Sequence, residues 1–425
     1  MWSNSTMFLK KLVLEDVRSI EHLELPFLET EDETRKWTFL LGENGTGKST
    51  VLKAVALVLA GSDALPELLV EPESWIRVGA RGARIQAELV TAQGEERRIG
   101  LDIRRGENLF ELFERNRDSL RQLDAALRHT SRSYLTVGYG VSRRLSDPRY
   151  AGSRPSIPFQ KLRARSVATL FSPDAELNPL QNWAIDLHYR LGDEGLELIR
   201  ETLGRLLPNV ELSRIDRDTK TLLFATPDGE IPLGMLSDGY QNVAAWCGDL
   251  LYNVTQVFED YKEPLSARGL LLIDEVDLHL HPVWQRQLKR FLDDKLPNFQ
   301  IVATTHSPLT AHQAGEGELF FLQRDEPSRV PVLHRYAGSP RQLMIHQVLV
   351  SPVFGLATMD SERVEEMRRE YENLSKQDRR TRVEERRMRQ LAEELQDLPE
   401  WNAHTELEQK RAAVLEDIAR ALQAK

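Results

Sequence analysis

The segment Gly42-Glu43-Asn44-Gly45-Thr46-Gly47-Lys48-Ser49 fits the pattern G-x-x-x-x-G-K-[ST] and stands between an apolar run and a helical one. Before it, Trp37-Thr38-Phe39-Leu40-Leu41 reads as a buried strand. After it, Val51, Leu52, Val55, Ala56 and Leu59 recur at helical spacing from Ser49 to Leu59. Strand, glycine loop and helix in that order form the setting in which this motif binds phosphate. The glycines let backbone N–H groups turn inward, and the helix N-terminus adds a favourable field for an anion. Gly42, Glu43, Asn44, Gly45, Thr46, Gly47, Lys48, Ser49 and Thr50 are therefore the candidate nucleotide cradle. Within it, Lys48 is expected to reach the β- and γ-phosphates and the Ser49 hydroxyl to ligate Mg2+. The fold class expected of a chain with this loop between strand and helix is α/β.

Three further segments complete the site. The apolar run Gly269 to Ile273 reads as a central strand buried on both faces, and it closes on Asp274-Glu275 at the strand end where such sheets place their ligands. Asp274 is the expected outer-sphere carboxylate for Mg2+, and Glu275 the group that polarises the attacking water. A second β-branched strand, Phe299 to Thr305, runs into His306-Ser307-Pro308, so His306 is a candidate γ-phosphate sensor at a strand end. Leu236-Ser237-Asp238-Gly239-Tyr240-Gln241 opens an apolar helix through Val243, Ala244, Trp246, Cys247, Leu250 and Leu251. Ser-Asp-Gly suits a helix N-cap, and the Ser237 hydroxyl with the adjoining N–H groups would face a phosphate. The catalytic candidates are thus Lys48, Glu275 and His306, the metal candidates Ser49 and Asp274, and the cofactors ATP and Mg2+.

With these segments in this order, the chain resembles the SMC/RecF/OLD-like branch of the ABC ATPases over residues 8–325. The resemblance is carried by Asp274-Glu275-Val276-Asp277, by Leu278-His279-Leu280-His281-Pro282, and by Leu12-Val13-Leu14-Glu15-Asp16-Val17-Arg18-Ser19. The last looks like the first strand and Arg-Ser turn of RecF-like heads, which adds Arg18 to the nucleotide-binding candidates. The implied fold is a P-loop NTPase of ABC-ATPase type with a RecF-like lobe inserted over 62–235. The 188 residues between Lys48 and Ser237 carry no sustained heptads, so a compact head without coiled-coil arms is expected. Two such heads dimerise head to tail in this family, or assemble further. That would set Ser237 and Gly239 against the γ-phosphate held by the partner.

The resemblance implies an ATP-hydrolysing switch whose head association controls DNA binding or a separately encoded effector such as a nuclease. The ATPase subunits of anti-phage systems such as Septu or PARIS are arranged in this way. The alternative is a RecF-like repair ATPase acting directly on DNA. Two features depart from the family: the stretch matching the transporter D-loop ends at His281 instead of aspartate, and no glutamine is placed for the Q-loop, Gln86 and Gln160 being poor candidates. His279 and His281, two apart with no third ligand nearby, suit a local structural role better than a metal site.

Composition narrows the alternatives. The single cysteine, Cys247, excludes an intramolecular disulfide and suits a reducing cytoplasm. The first thirty residues show no secretory signal, and no window approaches 18 uninterrupted apolar residues, so no membrane span is expected and a transporter role is disfavoured. Net charge is −10, but Ile76 to Arg165 holds 19 Lys and Arg against 10 Asp and Glu. That stretch, with Arg77, Arg81, Arg84, Arg97, Arg98, Arg104, Arg105, Arg143 and Arg144, is either a solvated face or a nucleic-acid contact.

The chain is expected to divide into a head over 1–352 and a charged helical region over 353–425. In the latter, Val364, Met367, Tyr371 and Leu374 share one helical stripe, and Met388, Leu391, Leu395 and Leu398 a second, which Pro399 ends. A last helix shows Leu415, Ile418 and Leu422. These helices either pack on their own head or dock on a partner or a second copy. No HNH-like or zinc-ligand cluster is evident, so an associated nuclease would be another polypeptide.

Overall fold

The structure, a computed structural model, describes residues 7–30, 33–91, 94–129, 135–143, 159–178, 180–206, 210–216, 221–226, 229–236, 238–257, 267–377, 379–396 and 398. The chain forms two compact units, Met1–Val348 and Leu349–Lys425.

The described residues of the first unit form three sheets. Strands β1 (Phe8–Val17) and β2 (Ile20–Pro26) form a hairpin, and β3 (Trp37–Gly42) leads into the glycine loop. Next come β4 (Gly82–Val90), β5 (Glu96–Arg104) and β6 (Leu135–Tyr139). Strands β7 (Glu211–Asp216), β8 (Thr221–Thr226) and β9 (Gly229–Pro232) form a small antiparallel sheet of their own. The chain then adds β10 (Gly269–Ile273), β11 (Phe299–Thr304), β12 (Leu319–Arg324) and β13 (Pro331–Arg335).

The central sheet has the order β13-β12-β3-β11-β10-β6, parallel from β12 to β6, with β13 antiparallel at one edge. Every residue of β10 and β11 is buried, as unbroken apolar runs in a covered parallel sheet require. The second sheet, β2-β1-β4-β5, is antiparallel, and β4 alternates between core and outer face. The helix Lys48–Val58 lies in the core shared by these two sheets, with Val51, Leu52, Ala54 and Val55 fully buried. This is the α/β P-loop NTPase fold expected from the sequence. The sheets are also joined by one side chain. Where the register of β1 against β4 shifts between Leu9 and Lys11, the Gln300 amide on β11 donates to Leu9 O (2.9 Å) and accepts from Leu9 N (3.0 Å).

Two long helical stretches are interrupted. Leu109–Arg115 and Arg117–His129 are separate helices. Between them the Asn116 side chain donates to Leu112 O and Asp102 O and accepts from Asp102 N, which ends the first helix and ties it to β5. The pattern near 181–206 likewise divides into Leu180–Leu191 and Asp193–Leu206 at Gly192, which adopts a positive φ of 61°.

In the second unit, the helices Glu362–Ser375 and Arg382–Gln396 pair with one another. The two stripes read from the sequence supply the buried Leu374 and Leu391, and a bidentate Arg387–Glu370 pair crosses between the helices. Pro399, Leu415, Ile418 and Leu422 lie outside the described residues.

Candidate nucleotide site

The loop after β3 is shaped by positive-φ glycines at Gly42 (135°), Gly45 (76°) and Gly47 (106°). A Cβ at Gly42 would collide with the Leu322 carbonyl on β12, so the loop can press against the neighbouring strand only with glycine there. Thr46 Oγ1 donates to Glu43 O at 2.8 Å and closes the loop on itself. The Lys48 ammonium donates to Gly42 O (2.7 Å) and Glu43 O (2.8 Å), across the mouth of the loop. Burial lowers its pKa, while Asp274, Glu275 and Glu43 pull the other way.

A cleft of about 310 Å3 opens at the C-terminal ends of the parallel strands. It is lined by Arg18, Ser19, Asn44, Gly45, Gly47, Lys48, Ser49, Thr50, Asp274, Glu275 and His306. Strand ends explain the convergence: the glycine loop follows β3, Asp274-Glu275 follow β10, and His306 comes two residues after β11, which lies between the other two.

Thr304, the last residue of β11, ties these groups together. Its hydroxyl donates to Asp274 Oδ1 (2.6 Å) and accepts from Glu275 N (2.7 Å). Glu275 has a φ of +48°, a left-handed conformation that costs a non-glycine residue about 1 kcal/mol or more and turns its side chain toward the cleft. His306 is exposed, and its pKa is lowered by partial burial and by Lys48, against the pull of Glu275, Asp277 and Asp274. Burial raises the pKa of Asp277, while Arg143 pulls the other way. At the other wall Arg18, also with a left-handed φ (53°), donates its backbone N–H to Trp75 O (2.9 Å) and lays its guanidinium 4.3 Å above the Trp75 ring. Desolvation lowers the Arg18 pKa.

The remaining candidates fall elsewhere. Gly42, Glu43 and Thr46 build the loop but do not line the cleft. Gly239 is off this cleft, beside the carbonyl of His279, at the start of the helix Asp238–Val257. Ser237 lies outside the described residues. His281 accepts from Val283 N through Nδ1 and caps the helix Pro282–Lys295, a local role. Among the described residues no group of three or more His, Cys, Asp or Glu could hold a metal by itself. Gln86 lies on β4 and Gln160 precedes a short helix; neither lines the cleft.

One residue that sequence reasoning passed over as part of the basic stretch is Arg143. It is buried, and its guanidinium donates to Gly140 O (3.1 Å), to Asp274 O and to Glu275 O (2.6 Å). Desolvation lowers its pKa to about 10, although Asp274, Asp277 and Glu275 oppose the shift. A signal was present: Arg143 lies just beyond Gly140, in the loop that leaves β6. Tyr139 itself donates through its hydroxyl to Asp249 Oδ2 (3.0 Å), a buried carboxylate that also accepts from Asn178 and Asn253.

Part of the basic stretch is neutralised in place. Arg84 pairs with Asp102 and Glu15, Arg97 with Glu95, Arg98 with Glu88, Arg105 with Glu73, and Arg77 with Glu21 and Asp16. Arg81 and Arg104 have no ion pair among the described residues, and Arg144 lies outside them.

Comparison with known proteins bears on the whole cleft. A family described as "AAA domain, putative AbiEii toxin, Type IV TA system" matches residues 38–311. The Septu protein PtuA of Bacillus mycoides (strain KBAB4) is 26% identical over 350 residues, covering 82% of this chain and 45% of the relative. The Retron Ec83 probable ATPase of Escherichia coli is 26% identical over 147 residues, 35% of this chain and 27% of the relative. The chain thus spans less than half the length of these two relatives. Among solved structures, the SMC head domain from Thermotoga maritima is 16% identical with a TM-score of 0.42, covering 77% of this chain and 98% of that one.

Proposed function

We propose, for a chain that belongs to the AAA domain family described as putative AbiEii toxin of type IV TA systems, that it is an ATP-hydrolysing switch. The carrying observation is that the ends of β3, β10 and β11 bring Lys48, Ser49, Asp274, Glu275 and His306 to one cleft. Lys48 and the loop N–H groups bind the phosphates. Ser49 and Asp274 would hold Mg2+: both offer oxygen, which that hard cation prefers, and Thr304 fixes the Asp274 carboxylate. The ion, when bound, neutralises charge on the phosphates. Glu275 orients the attacking water as its base. His306, held neutral near pH 7 by its lowered pKa, can donate an N–H to the γ-phosphate.

Ser237 and Gly239 would act on nucleotide held by a second copy, which is supported by Gly239 standing away from its own chain's cleft. ATP would then drive two heads together, and their association would control a separately encoded effector such as a nuclease. Similarity to a Septu protein and a retron ATPase supports a place in anti-phage defence. Among the described residues no helix is long and apolar enough to cross a membrane.

The association is the test. Glu275→Gln with ATP should show about a twofold rise in mass by light scattering, as expected for a closed dimer. Adding Ser237→Arg should abolish that rise while leaving ATP binding intact. A mass indifferent to ATP and to Ser237→Arg would count against nucleotide-driven association.

The RecF-like alternative, direct action on DNA, makes a separate prediction. With most arginines of β4 and β5 already paired to carboxylates, few are left to displace counterions. Any binding to DNA by the head should therefore have a shallow salt dependence, about one or two ions released. A log–log slope of about five or steeper, abolished by Arg97→Glu, Arg98→Glu, Arg104→Glu and Arg105→Glu together, would favour the DNA reading instead.

A further inference from the structure

We propose that Arg143 is a positioning residue for hydrolysis, whose guanidinium holds the Asp274–Glu275 turn by its carbonyls so that the Glu275 carboxylate is aimed into the cleft. The proposal rests on the reading of Glu275 as the base.

The topology puts Arg143 where it can do this. Strand β6 pairs in parallel with β10, with Tyr139 beside Ile273, so the two strands end level and their exits run side by side. Asp274 N donates to Tyr139 O at 2.8 Å, which fastens the first residue of the turn to the end of β6. The exit from β6 is itself fixed: a Cβ at Gly140 would collide with the Thr169 carbonyl, and Gly140 N donates to Thr169 Oγ1 (3.1 Å). From that anchored loop Arg143 spans three carbonyls. Nε bonds its own loop at Gly140 O, and Nη2 bonds both Asp274 O and Glu275 O. A planar fork of fixed donors suits this bridging, and a lysine ammonium does not reproduce it.

Thr304 holds the opposite side of the same turn, through Glu275 N and Asp274 Oδ1. A left-handed glutamate persists only where its surroundings over-determine it. Here β11 grips the amide side and the β6 exit grips the carbonyl side. The peptide after Glu275 is also held by Leu278 N and Thr304 O (3.0 Å each), so removing Arg143 chiefly frees the Asp274 carbonyl and lets the peptide before Glu275 tilt, and the side chain with it. The ligand side chains Lys48 and Ser49 sit on the glycine loop and its helix, and the Asp274 carboxylate keeps its bond from Thr304, so none of them follows that tilt. Loss of Arg143 should therefore slow the chemical step and spare nucleotide binding.

Two substitutions test this in the full chain. Arg143→Met keeps most of the stem and removes the fork; Arg143→Lys keeps the charge and one donor group. For Arg143→Met we expect kcat to fall about 100-fold, and for Arg143→Lys about tenfold, because misplacing a reacting group by about 1 Å costs that order. The dissociation constant for a non-hydrolysable ATP analogue with Mg2+, measured by calorimetry, should stay within about threefold in both. A kcat of Arg143→Met within about threefold of the unaltered chain, or a loss shared equally by kcat and affinity, would overturn the proposal. If Arg143→Met does not fold, Arg143→Lys decides by the same split. Glu275→Gln is measured alongside. A slow Glu275→Gln beside a full-speed Arg143→Met sinks the Arg143 proposal alone, whereas a full-speed Glu275→Gln sinks the base reading and this proposal with it.

Discussion

Glu275→Gln is expected to bind ATP and keep it, with turnover reduced by about 100- to 10,000-fold, the usual contribution of a positioned general base. The substitution preserves the shape of the side chain. The backbone contacts that set its direction, Thr304 Oγ1 to its N–H and Arg143 to its carbonyl, do not involve the carboxylate. Only the ability to take a proton from water is removed. Phosphate release gives turnover, and nucleotide retained after desalting gives occupancy. Turnover equal to that of the unaltered chain would remove Glu275 from the role of base and leave the cleft a binding site whose chemistry lies elsewhere.

Lys48→Ala should fail at the earlier step. The ammonium is buried, close to Asp274, Glu275 and Glu43, and bonded to two loop carbonyls. Without it, incoming phosphates meet those carboxylates with the nearest side-chain cation removed. Truncating one member of a buried charge pair costs ~2–5 kcal/mol, or about 30- to 5,000-fold in affinity. Titration with a fluorescent ATP analogue checks this directly. Affinity within about threefold of the unaltered chain would show that Arg18 and the loop N–H groups suffice to hold the phosphates. The contrast between the variants is the informative part: Glu275→Gln should trap nucleotide, and Lys48→Ala should not acquire it.

What could be read from the sequence was local. The glycine loop, the apolar run before Asp274-Glu275 and the β-branched run before His306 each mark a strand end. Strand ends on one edge of a parallel sheet meet at one place. The sequence therefore foreshadowed the cleft without any knowledge of tertiary contacts. Arg143 was different. It is one arginine among many in a basic stretch, and its burial depends on β6 lying next to β10, a pairing across more than a hundred residues.

The charge count is blind to placement for a similar reason. The register of β4 against β5 sets Glu88 opposite Arg98 and Arg84 opposite Asp102, pairs the count already includes, while Glu15, Glu21 and Glu73, outside the stretch in sequence, also pair with its arginines. The break at Asn116 was hidden too, because its side-chain amide bonds to β5, which periodicity within the helix cannot register.

The amide of Gln300 gives the head a built-in reporter. Leu9 N–H donates to a side chain of the other sheet. Its proton is shielded from water only while the two sheets stay together. Slow deuterium uptake at Leu9 with and without ATP would mean that nucleotide is handled by a rigid head. Uptake that accelerates on ATP binding, while β10 and β11 stay protected, would locate a hinge between the sheets, seen one proton at a time.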